Sequence, residues 1–275
     1  MNTSRSDRWT ALDTPQSAEQ AADRLRQLST PASEQDAREH WLGLLDPRRG
    51  ERVVDIGAGI GDMTVPIAQR IRPGGVVHAL DLSPGLLQHA RHLAGQTGVL
   101  DAVVTDTGDA GALPYDDGTF DAALCRWVLL HLPVPQQALA EMRRVLRPGG
   151  RVLSVEVDWE TLIVHPGDPE VTRRIVHANV ERQVDGRTGR KLAPLLRAAG
   201  FAEVSVSPFV DVDLTGDWLP FLHSRLAVAA QAGVPTDTLG RWMTAIESAA
   251  RTGEYLFSFT QYGVQGTVPR ECPEP

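Results

Sequence analysis

The sequence has few of the features that are typical of secreted, membrane-spanning or disulfide-rich proteins. Its 275 residues include two cysteines, Cys125 in an apolar run and Cys272 in a proline-rich tail, which argues against a disulfide framework. The N-terminus lacks the apolar core of a signal peptide, and no apolar run reaches the roughly 20 residues of a membrane span. We therefore expect a cytoplasmic protein without a membrane span.

Concentrated positive charge and metal-ligand patterns are also missing. The formal net charge is −8, and the 27 basic residues include one lysine, Lys191, and form no basic run. Because a nucleic-acid surface needs a basic patch, we expect no nucleic-acid partner. Cysteine pairs at ligand spacing and histidine pairs at i, i+4 are absent from the sequence, so we expect no metal site.

The most informative stretch lies at residues 53–64, where a short apolar run is followed by three glycines at alternate positions. Arg52–Ile56 is β-branched and too short for a helix, which predicts a strand buried on both faces. Gly57, Gly59 and Gly61 then allow backbone conformations and close approaches that a side chain would prevent. Helical apolar spacing begins at Asp62. A strand, a glycine turn and a helix N-terminus predict a nucleotide-sized cradle.

The positions of the glycines distinguish between two kinds of cofactor site. A dinucleotide fingerprint, G-x-G-x-x-G, would require a glycine where this sequence has Asp62. The loop instead resembles motif I of the class I S-adenosylmethionine-dependent methyltransferases, in which the loop surrounds the methionine part of the cofactor. The resemblance assigns cofactor contacts to Asp55, Gly57, Ala58, Gly59 and Gly61. A tight strand-to-helix turn that binds no ligand is the alternative.

Further motifs of this family follow in the expected order. They are a strand ending in an acid (Val76–Asp81), the pair Asp109–Ala110, the start of a fourth strand at Phe120–Asp121 and the turn Arg147–Gly150. Together with the glycine loop they extend the resemblance over about residues 45–158. The pattern is similar to the small-molecule group, which includes ubiquinone/menaquinone-biosynthesis and natural-product methyltransferases.

The resemblance assigns further cofactor contacts beyond the glycine loop. Asp81 would accept hydrogen bonds from the ribose hydroxyls, although an acid there could also cap the next helix. Asp109 and Ala110 would meet the adenine. Leu82 and Arg126, which follow or end neighbouring strands, complete the expected cofactor-binding set.

Two residues are candidates for a general base, which a hydroxyl or amine nucleophile could use. His131 follows the fourth strand and would border the methyl-donor end of the cleft, but it could equally fix that segment or touch the cofactor. Asp158 would end the fifth strand at the ligand edge of the sheet, or would cap the segment that follows. Trp127, Trp159 and Trp218 could line an apolar acceptor pocket, with core packing the alternative.

The expected fold is α/β: a Rossmann-like, seven-stranded, mostly parallel sheet flanked by helices, with an antiparallel last strand and helical cap insertions. The predicted organisation is an N-terminal helical lid (1–44), a cofactor-binding core (45–158), a cap insertion (159–187) and a segment that completes the sheet (188–275). That last segment carries a helical insertion at about 215–252. The N-terminal helices could alternatively pack against the core.

The expected function is transfer of a methyl group from S-adenosyl-L-methionine, leaving S-adenosyl-L-homocysteine, to a small, apolar acceptor of secondary metabolism. The sequence leaves open whether an O, N or C atom is methylated. A cyclase or rearrangement enzyme that keeps the cofactor, and a non-catalytic cofactor-binding protein, are the alternatives. The only expected partner is the small-molecule acceptor, and a homodimer is compatible with the sequence.

Overall fold

A seven-stranded sheet forms the centre of the computed structural model, which describes residues 14–270. In chain order the strands are β1 (Arg52–Ile56), β2 (Val76–Asp81), β3 (Val103–Thr107), β4 (Phe120–Arg126), β5 (Leu146–His165), β6 (Ala202–Asp213) and β7 (Leu256–Thr267). Residues 1–13 of the predicted lid and the proline-rich tail lie outside the described residues. The division of the chain into lid, core, cap and completing segment stays a prediction.

The order of the strands places a ligand crevice at the middle of the sheet. The order is β3-β2-β1-β4-β5-β7-β6, and β7 runs antiparallel to both of its neighbours while the other pairs are parallel. The predicted fold class is therefore confirmed. Because the chain moves outward from β1 in one direction and then from β4 in the other, the carboxyl ends of these two strands flank a topological switch point.

Helices cover both faces of the sheet and one of its edges. They are α1 (Pro15–Ser29), α2 (Ala32–Leu45), α3 (Thr64–Ile71), α4 (Pro84–Gln96), α5 (Pro135–Val145), α6 (Pro169–Arg182), α7 (Leu192–Ala198), α8 (Leu219–Gln231) and α9 (Thr236–Thr252). Val53 packs with α2, α3 and α4 on one face, whereas Val54 packs with α5 and α7 on the other. The predicted burial of β1 on both faces is therefore what the structure shows. Among the described helices, none is both long and apolar enough to cross a membrane.

A second apolar core lies beyond the sheet edge, between α6, α8 and α9 and the ends of β5 and β7. Aromatic rings fill it: Trp218 contacts Phe257 and Phe259, and Trp159 stacks on Phe221 and Phe259. We call these helices and strand ends the cap. Their shared buried core fixes them as a wall at the carboxyl edge of the sheet.

The largest difference between prediction and structure concerns β5. The sequence analysis places the end of the fifth strand at Asp158, whereas β5 runs from Leu146 to His165. After an irregularity that follows Asp158, its second half continues to pair with β7. The residues after Asp158 therefore continue the strand. The sequence does not reveal this, because their partners on β7 are distant in the chain and give no local signal.

Candidate functional site

A cavity of about 370 Å³ opens at the carboxyl ends of β1, β2 and β4. The glycine loop and the segments after β2, β3 and β4 form one side of it. Helix α1, the end of α6 and helix α8 form the other side. The volume falls in the roughly 300–1,000 Å³ range of pockets that bind small molecules and cofactors.

The glycine loop takes the form that its spacing predicts. Gly57, Gly59 and Gly61 all have positive φ angles, of 73°, 55° and 92°. A Cβ at Gly57 would lie 2.2 Å from Cγ2 of Val128, so the segment after β4 packs directly on the loop. At Gly59 the nearest atom to such a Cβ would be Cδ1 of Leu25, at 3.1 Å, which places α1 over the loop. Gly57, Ala58 and Gly59 line the cavity, whereas Gly61 is outside its lining.

Asp55 lies at the base of the loop and lines the cavity. Its side chain is buried, and Oδ2 accepts a hydrogen bond of 2.6 Å from Oγ1 of Thr64. Burial raises the pKa of Asp55 to about 6, against the opposing effect of that hydrogen bond, and the nearby Asp81 adds to the rise. Because Thr64 is the first residue of α3, this hydrogen bond links the end of β1, just before the glycine loop, to the start of that helix.

Asp81 closes the loop from the end of β2. Its Oδ2 accepts from the backbone N–H of Gly59 at 2.9 Å, and its Oδ1 accepts from that of Ser83 at 2.9 Å. Burial raises the pKa of Asp81, while backbone hydrogen bonds from Ser83, Gly59 and Leu82 oppose the rise. Helix α4 is capped by Ser83, whose Oγ accepts from the N–H of Leu86 at 3.3 Å. Asp81 therefore fixes the loop and also faces the cavity.

The remaining predicted cofactor contacts along β2 and β3 also reach the cavity. Leu82, Asp109 and Ala110 line it. Leu82 is 46% exposed although it is apolar, and Ala110 is buried. Oδ1 of Asp109 accepts from the N–H of Gly111 at 2.8 Å, which shapes the turn after β3.

Arg126 also lines the cavity, but its charge is directed toward a buried acid. The guanidinium forms an ion pair with Glu34 of α2, whose side chain is 1% exposed. Gln261 donates from Nε2 to Glu34 at 3.1 Å and to Asp211 at 2.9 Å, which connects the pair to the outer strands. Burial raises the pKa of Glu34, with Arg126 opposing the rise, and burial raises that of Asp211 to about 7.

His131 lies in the turn after β4, half-buried in the cavity wall. Its segment is held from below by Glu156 of β5, which accepts from the N–H of Val128 at 2.9 Å and from that of Leu129 at 2.6 Å. Burial raises the pKa of Glu156 to about 8. Sequence reasoning missed Glu156 and Glu34. The position of Glu156 in an otherwise apolar strand could have indicated a buried acid, whereas Glu34 lies in a polar segment that gives no such signal.

Asp158, the second candidate base, lies outside the cavity lining. It is 1% exposed and forms an ion pair with Arg190, whose Nη2 is 2.9 Å from Oδ1. The sequence placed Asp158 at the end of a strand, but β5 continues to His165. Its neighbours Val157 and Trp159 line the cavity, and because side chains alternate along a strand, Asp158 points to the opposite face. The geometry does not bring it to the other predicted site residues.

An aromatic and basic wall faces the glycine loop across the cavity. Trp159 and Phe221 line this wall, whereas Trp127 lines the cavity from the segment after β4 and Trp218 packs in the cap core outside the cavity lining. Arg24, Arg182 and Arg225 also line the cavity, from α1, α6 and α8. Acids are concentrated at the other side, where Asp55, Asp62, Asp81 and Asp109 lie on the loops of the sheet. We call the helix side with these three arginines the basic end of the cavity, and the loop side with the four acids its acidic end.

Comparisons with known proteins agree with this arrangement. A model described as a methyltransferase domain matches residues 54–154. An uncharacterised 37.1 kDa protein of transposon TN4556 in Streptomyces fradiae is 39% identical over 245 residues, which cover 87% of this chain and 69% of that protein. The ubiquinone/menaquinone biosynthesis C-methyltransferase UbiE of Roseobacter denitrificans is 37% identical over 43% of this chain and 47% of that enzyme. The alignment thus spans about half of that enzyme's length.

Among solved structures, the phosphoethanolamine N-methyltransferase 2 of Haemonchus contortus, determined with S-adenosyl-L-methionine, superposes with a TM-score of 0.59. The superposition covers 98% of this chain and 61% of that chain at 17% identity, so it shows the fold alone. The fold, the matched methyltransferase domain and the two sequence relatives are consistent with one another. The chain belongs to the class I S-adenosylmethionine-dependent methyltransferases.

Proposed function

We propose that the protein transfers the methyl group of S-adenosyl-L-methionine to a nucleophilic atom of a small acceptor with an apolar body. One observation carries the proposal: a single cavity of about 370 Å³ joins the glycine loop and its acids to a wall of aromatic side chains. The first part suits a cofactor and the second suits an apolar acceptor, and one cavity brings the two within reach of each other.

The residues at the acidic end fit the cofactor. Gly59 has a φ of 55° and no side chain, so the space beside the loop stays open as far as Leu25, the nearest side chain to an added Cβ. Asp81 has lone pairs left on both oxygens, since each accepts one backbone N–H. The cofactor carries a sulfonium and an ammonium against one carboxylate, so its net positive charge is complementary to the acids at this end of the cavity.

When bound, the cofactor supplies a methyl group that is already activated for displacement. The chain then has to align the acceptor and exclude water, which can account for several kcal/mol of the barrier. Asp81 and the backbone of the glycine loop would hold the adenosine and methionine parts, and Trp159 and Phe221 would hold the acceptor. His131, in the turn after β4, lines the same cavity and would accept the proton of a hydroxyl or amine acceptor.

Product analysis tests the proposal. The protein is incubated with the cofactor and a panel of phenols, amines and acidic carbon compounds, and each reaction is assayed by mass spectrometry. We expect S-adenosyl-L-homocysteine together with an acceptor that has gained a methyl group in place of a hydrogen. A rearranged product of unchanged mass would point to the cyclase alternative, and cofactor binding without turnover of any acceptor would point to a binding protein.

A further inference from the structure

Arg225 of α8 lies at the basic end of the cavity and is only 8% exposed. Its guanidinium carbon is 4.5 Å from the centroid of the Phe221 ring, one turn earlier on the same helix. Phe221 stacks in turn on Trp159, with the ring centroids 5.0 Å apart. A cation therefore sits at the end of a two-ring aromatic wall, and all three side chains line the same cavity.

The charge of Arg225 is not neutralised by the described part of the chain. Nη1 donates to the amide oxygen of Asn179 at 2.9 Å, and Nε donates to the hydroxyl of Ser224 at 3.0 Å. Both acceptors are neutral. A buried cation is normally paired with a carboxylate, because a hydrogen bond to a neutral group does not replace the lost solvation of the charge.

The neighbouring charges increase this imbalance. Burial is the main cause that lowers the pKa of Arg225, to about 9, and the positive charges of Arg182 and Arg24 lower it further. At neutral pH the group is still cationic. An anion that enters the cavity would supply the opposite charge that the neutral partners of Arg225 do not.

The cofactor would not supply that anion if it binds as proposed. Its adenosine and methionine parts are assigned to the acids and glycines of the sheet loops, at the opposite end of the cavity. The acceptor is the remaining occupant, and it would lie between the glycine loop and the aromatic wall. The basic end is therefore the part of the cavity that the acceptor's far end reaches.

We propose that Arg225 binds an anionic oxygen group, a carboxylate or a phosphate, at the end of a planar apolar acceptor that lies along Trp159 and Phe221. The inference rests on the proposed methyl transfer and narrows its substrate class. A planar guanidinium can donate two parallel hydrogen bonds to such a group, which selects it over a neutral ester or amide. Arg225 would thus determine specificity and orient the acceptor without touching the reacting atoms.

Ligand pairs that differ only in charge test this proposal. The probes are phenolic acids of increasing chain length, their methyl esters and the corresponding aryl phosphates, titrated by calorimetry and ligand-observed NMR with and without S-adenosyl-L-homocysteine. We expect at least one acid or phosphate to bind about tenfold or more tightly than its matched neutral analogue. The relative affinity of acid and phosphate identifies which anionic group is preferred.

Two variants locate the effect. Arg225→Gln keeps a donor for Asn179 but removes the charge, so we expect it to lose the preference for the charged probe. Arg225→Lys keeps the charge and should retain part of that preference. Arg187→Gln serves as the control, because Arg187 is ion-paired with Glu160 and Glu181 and is outside the cavity lining.

The outcomes separate this inference from the proposed function. If no charged probe binds more tightly than its neutral analogue, or if Arg225→Gln keeps the preference, the inference is wrong even when the homocysteine product binds well. A loss of cofactor affinity in Arg225→Gln without a change in probe preference would assign the cation to the cofactor carboxylate and would also overturn it. Failure of the wild-type protein to bind S-adenosyl-L-homocysteine would instead count against the proposed function.

Discussion

Asp81 shapes the glycine loop with the same two oxygens that we expect to meet the ribose. Each oxygen accepts a backbone N–H at 2.9 Å, and the acceptor sites that remain on the carboxylate are available to the ribose hydroxyls. Asp81→Ala should weaken binding of S-adenosyl-L-homocysteine at least about tenfold, because hydrogen bonds to a charged group contribute roughly 1.5–3 kcal/mol each. Calorimetric titration measures the change, with Asp101→Ala, at an exposed acid, as the control. Unchanged affinity in a folded variant would leave Asp81 with only the structural role.

His131 is the residue at which a role in proton transfer can be separated from a role in positioning. If it accepts the proton of a hydroxyl or amine acceptor, His131→Ala should lower kcat by about 10²–10⁴-fold and leave the affinity for S-adenosyl-L-homocysteine nearly constant. Steady-state kinetics and calorimetry on the same preparation provide both values. His223→Ala is the control, because His223 pairs with Glu247 on the cap and is outside the cavity lining. A parallel fall in turnover and affinity would instead show that His131 positions the cofactor.

The residues that sequence reasoning missed are those whose partners lie far away in the chain. Asp55, Asp81 and Asp109 could be placed at the cavity because each lies at or just after the end of a strand, at a family-specific spacing. Glu156 holds a segment that lies 27 and 28 residues earlier, and Glu34 meets Arg126 from 92 residues away. No local pattern specifies such contacts, since they depend on which strands become neighbours.

The turn between β4 and α5 depends on a carboxyl group that it does not contain. Glu156 is fully buried, and its raised pKa of about 8 means that the folded state holds a proton which the unfolded state releases near pH 4.5. The stability that this protonated group contributes is therefore complete at low pH and is lost as pH rises from about 4.5 to about 8.

Glu156→Gln removes this titration and keeps an oxygen that can accept from Val128 and Leu129. We expect the variant and the wild type to be similarly stable at pH 5, and the variant to be more stable at pH 8. The difference should be on the order of 2–4 kcal/mol, since one pKa unit corresponds to about 1.4 kcal/mol. Denaturant unfolding at both pH values measures it, and the other acids titrate equally in both proteins. A difference that does not change with pH would show that Glu156 is ionised throughout.

Helix α2 is attached to the sheet by a buried ion pair in addition to its apolar face. Arg126→Met would leave the buried Glu34 with only the longer, 3.8 Å contact to Arg38 as a cationic partner, and breaking a buried ion pair typically costs about 3–5 kcal/mol. Urea unfolding should show this loss, and adding Glu34→Gln should restore much of it. Arg70→Met tests a more exposed ion pair, between Arg70 of α3 and Glu39 of α2, and should change the free energy of unfolding by less than about 1 kcal/mol. Equal effects of the two arginine substitutions would contradict the importance of burial.

At the scale of the whole molecule, the core strands and the helices at about 215–252 were predictable, whereas the long-range pairing that joins the outer strands was not. Strands and helices alternate in sequence from β1 to β3, and β4 follows β3 after a turn-rich segment, so local apolar patterns and glycine turns define these elements. The second half of β5 and its pairing with β7 join residues about 100 positions apart, such as Val164 and Phe257. The acceptor end of the cavity is built from this long-range part, which explains why the sequence predicted the cofactor more closely than the acceptor.

Because α1 lies over the glycine loop and the cap faces it, a bound cofactor should stabilise the protein as a whole. A ligand at 100 times its dissociation constant adds about 2.7 kcal/mol, which for a chain of this size corresponds to a rise in Tm of roughly 5–10 °C. We expect S-adenosyl-L-homocysteine to produce such a rise in differential scanning calorimetry, and adenosine alone to produce a smaller one. Gly59→Ala should reduce the rise, because a side chain at φ 55° strains the loop and projects toward Leu25. The matched control is Gly43→Ala, at a position where an added Cβ meets nothing within 4 Å. The absence of any rise in the wild-type protein at millimolar ligand would contradict cofactor binding at this cavity.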